Sequence, residues 1–198
     1  RSTDAGANWS HVGLKQSRTI ARVVVHPKDP GTAWVAAMGD LWAPGGERGL
    51  YKTSDAGKTW TLVLAALAPN AAHVGGGEVA IDPAHPETVY AALYARRRTP
   101  WSFAAGPDAS GGRDVGGIYR STDGGASWQK LAGGLPGATG RIGLSVFART
   151  PSIVYAIVQS DEGGSQNIDE VTSRRGGVFR TSDGGETWTR QSGLDPRP

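Results

Sequence analysis

Residues 49–60 read Gly49-Leu50-Tyr51-Lys52-Thr53-Ser54-Asp55-Ala56-Gly57-Lys58-Thr59-Trp60, and the pattern of the last eight returns three more times in the chain. The other copies are Ser2-Thr3-Asp4-Ala5-Gly6-Ala7-Asn8-Trp9, Ser121-Thr122-Asp123-Gly124-Gly125-Ala126-Ser127-Trp128 and Thr181-Ser182-Asp183-Gly184-Gly185-Glu186-Thr187-Trp188. All fit Ser/Thr-x-Asp-x-Gly-x-x-Trp, with aspartates 51, 68 and 60 residues apart. The chemistry is that of a hairpin turn. An Asp carboxylate accepts bonds from backbone N–H groups a few residues on, closing the turn on itself. The Gly supplies a positive φ that a Cβ resists, and the Ser/Thr hydroxyl bonds locally. The Trp anchors the turn on apolar surface. Asp4, Gly6, Trp9, Asp55, Gly57, Trp60, Asp123, Gly125, Trp128, Asp183, Gly185 and Trp188 are therefore expected to be structural. Catalysis or calcium binding by these aspartates is the alternative, and four equivalent turns argue against it.

The repeat extends beyond the motif. Gly-apolar-aromatic-basic precedes three copies, as Gly49-Leu50-Tyr51-Lys52, Gly117-Ile118-Tyr119-Arg120 and Gly177-Val178-Phe179-Arg180. Earlier in each unit a Pro stands four residues before an aromatic: Pro30 and Trp34, Pro86 and Tyr90, Pro151 and Tyr155. Each unit reads as four short strands: 19–26, 32–39, 49–54 and 59–64; then 77–82, 88–95, 116–121 and 127–131; then 141–147, 152–159, 176–181 and 187–191. The first two strands of each unit are rich in Val and Ala, as in Val89-Tyr90-Ala91-Ala92-Leu93, which suits strands covered on both faces. Four-stranded units repeated radially are the blades of a propeller.

The expected class is all-β, a partial β-propeller of three complete four-stranded blades and the end of a preceding one. Residues 1–14 supply the closing turn and outer strand of that preceding blade, 15–64 a blade, 65–131 a blade with a long loop at 96–115, 132–191 a blade, and 192–198 a connector. Such an arc leaves apolar faces open at both ends, to be covered by remaining blades or by another chain.

Composition agrees. Thirty of 198 residues are Gly, about twice the usual share, which favours many strands and tight turns over helices. A formal charge of +3 is too small to argue for nucleic acid, and no apolar run reaches the roughly 18 residues of a membrane helix. The chain has no cysteine, which excludes disulfides and thiolate metal sites. His11, His26, His73 and His85 lack metal-ligand spacing, so neither metal nor cofactor is expected.

The eight-residue motif resembles the Asp-box, or bacterial neuraminidase repeat, found in sialidases, xyloglucan-active glycosidases, sortilin-type receptors and photosystem II assembly factors. With Asp40-Leu41-Trp42 upstream and Arg96-Arg97-Arg98-Thr99-Pro100-Trp101 later, the chain is most similar to large secreted bacterial proteins grouped with the sortilin/Vps10 propeller. Many of these carry a glycosyl hydrolase label. The resemblance implies a secreted or periplasmic propeller that presents a binding surface or tunnel.

In such a blade the turns between strands one and two and between strands three and four share one face, which the boxes occupy. Function is expected on the opposite face, where the loops differ between units. These are residues 40–48, 96–115 and 160–175, with the blade links 15–18, 65–75 and 132–140. Asp40, Trp42, Arg48, Arg96, Arg97, Arg98 and Trp101 are the candidate binding residues. Guanidinium groups suit carboxylates or phosphates, and Trp101 suits stacking on a sugar. Adjacent strand residues alternate faces, so the three arginines cannot all reach one ligand. A glycosidase needs a pair of carboxylates, for which Asp40, Glu47, Asp114, Asp161, Glu162 and Asp169 are candidates without a distinguishing spacing, so the catalytic residues stay unassigned. The leading expectation is a non-catalytic module for a protein, peptide or glycan. The alternatives are part of a xyloglucanase- or sialidase-like glycoside hydrolase, or an assembly factor of the photosystem II stability-factor type.

Overall fold

The computed structural model describes residues 1–67, 70–105, 116–160 and 176–192. Three antiparallel sheets follow one another along the chain as the blades of a partial β-propeller. The first holds β1 (Ile20–Val25), β2 (Ala33–Ala37), β3 (Gly49–Thr53) and β4 (Thr61–Leu64), hydrogen-bonded in that order. The second holds β5 (Val74–Ile81), β6 (Val89–Arg98), β8 (Gly117–Ser121) and β9 (Gln129–Leu131), with β7 (Phe103–Ala105) paired to the far end of β6. The third holds β10 (Ile142–Val146), β11 (Val154–Val158), β12 (Gly177–Thr181) and β13 (Thr189–Arg190).

Two elements depart from the sequence expectation. Residues 1–14 make the turn but no strand. Arg1 and Ser10 exchange backbone bonds of 2.6 and 2.8 Å, and among the described residues no sheet extends this pairing. The segment instead lies against the first blade, where the Val12 carbonyl accepts the Trp60 indole N–H at 2.6 Å. The loop expected from residue 96 begins as a hairpin: Arg96, Arg97 and Arg98 continue β6 and pair with Ala105, Ala104 and Phe103. Residues 106–115, 161–175 and 193–198, which hold parts of two expected loops and of the connector, lie outside the described residues.

Every box closes in the same way. The Asp55 carboxylate accepts the Thr59 N–H and hydroxyl at 2.9 and 2.6 Å and the Thr53 hydroxyl at 2.8 Å, while Thr53 Oγ1 accepts the Gly57 N–H at 2.9 Å. The other boxes repeat the core of this pattern: Ser2, Ser121 and Thr181 bond Asp4, Asp123 and Asp183 at 2.7, 2.7 and 2.6 Å. The fourth box residue then ties the hairpin to the turn between the blade's first two strands. Ala56, Gly124 and Gly184 N–H groups donate to the carbonyls of Gly31, Glu87 and Ser152 at 2.8, 2.8 and 2.9 Å. Both turns thus share one face of each blade.

The core lies between blades. Trp34, Ala36 and Leu50 of the first blade pack on Val79, Val89 and Ala91 of the second. Tyr90, Ala92 and Ile118 on the second blade's other face pack on Ile142, Val154 and Ala156 of the third. The alanines let neighbouring sheets approach closely, and the middle blade is covered on both sides, so the first seven residues of β6 are buried. On the end blades, among the described residues, Val23 and Val25 on β1 and Tyr155 and Ile157 on β11 are exposed.

A polar clamp crosses each junction beside the box. Lys52, cross-strand neighbour of Trp34, donates from Nζ to the Gly124 carbonyl of the second blade's box at 2.8 Å. Arg120, cross-strand neighbour of Tyr90, donates to the Gly184 carbonyl of the third blade's box at 2.8 Å, and the Tyr90 hydroxyl donates to the same oxygen at 3.0 Å. Arg1 reaches the Ala56 carbonyl of the first blade's box at 3.4 Å. The basic residue before each of these boxes therefore holds the next one.

Candidate functional site

On the face away from the boxes, the loop after β2 meets the β6–β7 hairpin of the adjacent blade. The Arg98 N–H donates to the Leu41 carbonyl at 2.9 Å, and the Arg98 guanidinium lies 5.4 Å from the centre of the Trp42 ring. At that distance the cation is attracted to the ring's electron-rich face. Trp42 remains 58% exposed. The hairpin tip is Thr99-Pro100-Trp101-Ser102, where Thr99 and Ser102 exchange backbone bonds of 2.9 and 3.4 Å and their hydroxyls meet at 2.8 Å. Pro suits the second place of such a turn, and the third puts Trp101 at the tip, 94% exposed. One indole and a guanidinium from adjacent blades thus meet at this surface, and a second indole stands exposed at the tip of the same hairpin.

Asp40 sits under this surface. Its Oδ1 accepts the Trp42 N–H at 2.8 Å, and its Oδ2 lies 3.4 Å from Arg18 Nε. Glu47 accepts the Gln16 and Ser17 N–H groups at 2.8 and 3.2 Å. Both carboxylates fasten backbone in the loop cluster.

Arg48 is withdrawn from the surface on which the sequence placed it. It is buried, and its guanidinium donates to the carbonyls of Met38 at 2.6 Å, Gly45 and Ala43 at 2.8 Å, and Asp40. Burial lowers its pKa from the ordinary value of 12.5, with Asp40 acting in the opposite direction. Loop 38–45 is wound round this one side chain, so Arg48 shapes the cluster from below.

The three arginines separate as strand geometry requires. Arg97 pairs with Ala104 between the pairs of Arg96 and Arg98, so it lies on the opposite face of the hairpin from both. Arg96 is half-buried and its Nε has no hydrogen-bond partner among the described residues. Of the seven candidates, the structure brings Trp42 and Arg98 into contact, sets Trp101 at the tip of the same hairpin and Asp40 behind Trp42, and turns Arg48 inward. Arg18 was not among the candidates; a lone arginine in a blade link carries no signal in sequence.

Nearer the inner strands, an open concavity of about 600 Å³ is bordered by Glu78, Arg141, Gly143, Ile157, Gln159 and Gly177. Glu78 in its wall is paired with Arg22 of the first blade at 3.4 Å. Among the described residues no group of three or more His, Asp or Glu draws together, and no described helix is long and apolar enough to cross a membrane.

The chain is 28% identical to a xyloglucanase of Hypocrea jecorina (strain QM6a) over 197 residues, which cover 95% of this chain and 20% of that protein. It is 30% identical over 112 residues to a Neosartorya fischeri protein named "Probable oligoxyloglucan-reducing end-specific xyloglucanase", covering 57% of this chain and 10% of that one. In fold it is similar to the crystal structure of an ancestral GH74 enzyme, with a TM-score of 0.62 and 20% identity over 98% of this chain and 21% of the enzyme. The chain thus spans about a fifth of the length of the first of these relatives. The Sortilin-Vps10 family (sortilin, neurotensin receptor 3) matches residues 1–136. By the motif, the blades they close and this match, the chain belongs to the Sortilin-Vps10 family.

Proposed function

We propose that this chain supplies one wall of the substrate cleft in a glycoside-hydrolase-type propeller, and that the wall grips a xyloglucan-like polysaccharide. The observation that carries this reading is the meeting of two loops from adjacent blades on the face away from the boxes, which sets Arg98 against Trp42 and leaves Trp101 exposed at the tip of the same hairpin. Sugar rings present flat C–H faces that stack on indoles, and a guanidinium beside them donates to hydroxyls. Similarity to a xyloglucanase along nearly the whole chain supports the substrate class. Such polysaccharides are met outside the cell, which supports a secreted or periplasmic setting.

Calorimetric titration with a xyloglucan oligosaccharide, an unbranched glucan of the same backbone length and a sialylated glycan tests the proposal. The first is expected to bind, and Trp42→Ala and Trp101→Ala are each expected to weaken it about tenfold, or about 1.4 kcal/mol. Unchanged affinity in both variants, or preference for the sialylated glycan, refutes it.

One observation favours a second reading, in which the described part of the chain binds without performing chemistry. Asp40 and Glu47 are both occupied in fastening backbone, and inverting or retaining hydrolysis needs two carboxylates free to act on the glycosidic bond. Release of reducing sugar from xyloglucan separates the two. Retained binding with no release by this chain supports a binding wall whose chemistry lies elsewhere.

A further inference from the structure

The chain enters each of its three blades by the same step. Just ahead of β1, β5 and β10, the carbonyls of Thr19, His73 and Arg141 accept the N–H groups of Met38, Arg96 and Gln159 at 2.9, 3.4 and 2.9 Å. The residues before them, Arg18, Ala72 and Gly140, therefore hold corresponding places. Of these three only Arg18 is left-handed, with φ of 57°. Entry into a blade does not require that conformation, since an alanine and a glycine make the step without it. Gly or Asn suits a left-handed position on backbone grounds, and a residue with a long side chain is strained there. Such strain persists where the surroundings impose it.

The side chain of Arg18 supplies the reason. Its Nε lies 3.4 Å from Asp40 Oδ2, while Asp40 Oδ1 accepts the Trp42 N–H at 2.8 Å. One carboxylate thus joins the blade link to the loop that carries Trp42. The link is itself anchored. Glu47 accepts the Gln16 and Ser17 N–H groups at 2.8 and 3.2 Å, and Ser17 Oγ accepts the Gly39 N–H at 3.3 Å. Arg48 holds the loop carbonyls of Asp40 and Ala43 from below, whereas the Trp42 backbone is held through the Asp40 side chain. At the far end of this relay the Trp42 ring meets the Arg98 guanidinium of the next blade at 5.4 Å.

We propose that Arg18 is a positioning residue for the binding wall: its guanidinium fixes the Asp40 carboxylate, which sets Trp42 in the orientation that meets both Arg98 and the ligand. This inference rests on the reading of Trp42 as a platform for sugar. An ion pair as open as this one, with the Arg18 side chain 73% exposed, adds little to the stability of the fold. Its contribution is to geometry. An indole already held in its bound orientation gives up less freedom when the ligand arrives, so affinity gains where stability does not. The strained backbone at Arg18 fits the same account, since it is a local cost borne for the placing of one side chain.

Arg18→Gly separates the two roles, because it relieves the backbone and removes the guanidinium together. In the full 198-residue chain its thermal midpoint is expected to be no lower than that of the wild type. The Trp42 amide is expected to exchange about fivefold faster, with the Ser17 and Gly39 amides unchanged, and a xyloglucan oligosaccharide to bind about three- to fivefold more weakly in calorimetric titration. Arg18→Lys is expected to fall between the two, since an ammonium still pairs with Asp40 but lacks the planar fork. With Trp42→Ala already in place, Arg18→Gly is expected to cost no further affinity, because a relay through Trp42 is non-additive with its loss. Unchanged exchange at Trp42 overturns the proposal, and so do affinity losses that simply add. A lower midpoint with faster exchange throughout the first blade marks a structural residue and overturns it too. If the wild type takes up no oligosaccharide, the sugar reading falls by itself; Trp42 exchange then decides whether Arg18 holds the loop, faster exchange upholding it and unchanged exchange refuting it.

Discussion

At the fourth position of every box the backbone is left-handed, as it is at the fifth. Ala5, Ala56, Gly124 and Gly184 have φ of 55°, 63°, 70° and 73°, followed by Gly6, Gly57, Gly125 and Gly185 at 93°, 87°, 98° and 103°. Sequence reasoning assigned this conformation to the fifth residue alone. The choice between Gly124 or Gly184 and Ala5 or Ala56 was the visible signal. A left-handed Ala costs about 1–2 kcal/mol, and Gly loses about 0.5–1 kcal/mol more chain entropy on folding. Ala56→Gly is therefore expected to stabilise by about 0.5 kcal/mol, seen as a rise of about 1–2 °C in a thermal melt. Gly185→Ala is expected to go the other way. At φ 103° a Cβ is strained, and it would sit 2.6 Å from Leu131 Cδ1. The expected loss is about 2 kcal/mol, or about 4–8 °C in the same melt.

Among the elements, the strands were legible and the loops were not. Residues 88–95 read as strand because Val, Tyr and Ala recur between turn signals, and β6 begins at Val89; its continuation through Arg96, Arg97 and Arg98 was hidden, because three charged residues look like a solvated loop until β7 pairs with them. Arg48 was missed for a related reason. An arginine in a polar loop reads the same whether it meets solvent or loop carbonyls. The nearest clue is Gly39, with φ of 83° and no room for a Cβ, which would fall 2.5 Å from Arg48 Cγ. Arg48→Ala removes hydrogen bonds to four carbonyls, and the expected cost is about 2–4 kcal/mol. Faster hydrogen exchange confined to the amides of residues 38–45 is the expected signature. Arg48→Lys is expected to recover less than half of the loss, since one ammonium cannot span four carbonyls. Exchange that stays as slow as in the wild type would show that the loop holds its form without this side chain.

For the molecule as a whole, the four box aspartates titrate as one class. Backbone donation from Asn8 holds Asp4 at about 2, against an ordinary 3.8. Hydroxyl donors are the first cause for the others, Thr59 at Asp55, Ser127 at Asp123 and Thr181 at Asp183, and hold them lower still. A carboxylate whose pKa is depressed by folding contributes stability that is complete above its unfolded value and lost as pH falls through its folded value. The urea midpoint is therefore expected to be flat with respect to these groups from neutral pH to about 5, and to fall steadily below about pH 4. Asp123→Asn is expected to flatten that fall; an unchanged slope would count against the boxes as its source. The repeat count and the face assignment were readable from the boxes. The clamp was half readable: the recurring basic residue before each box was plain, but its partner is a backbone carbonyl 72 residues on for Lys52 and 64 for Arg120, which no residue type announces.

That clamp gives the molecule a grammar. Each unit carries, just before its own box, a donor that fits the box of the next unit, because what it grips is main chain and so does not depend on the side chain at the gripped position. A gene segment duplicated in register arrives with both halves of a working junction. Blades can then be added, lost or exchanged while the loops on the other face diverge, since the rules for joining are written on one side of the molecule and the text that varies is written on the other.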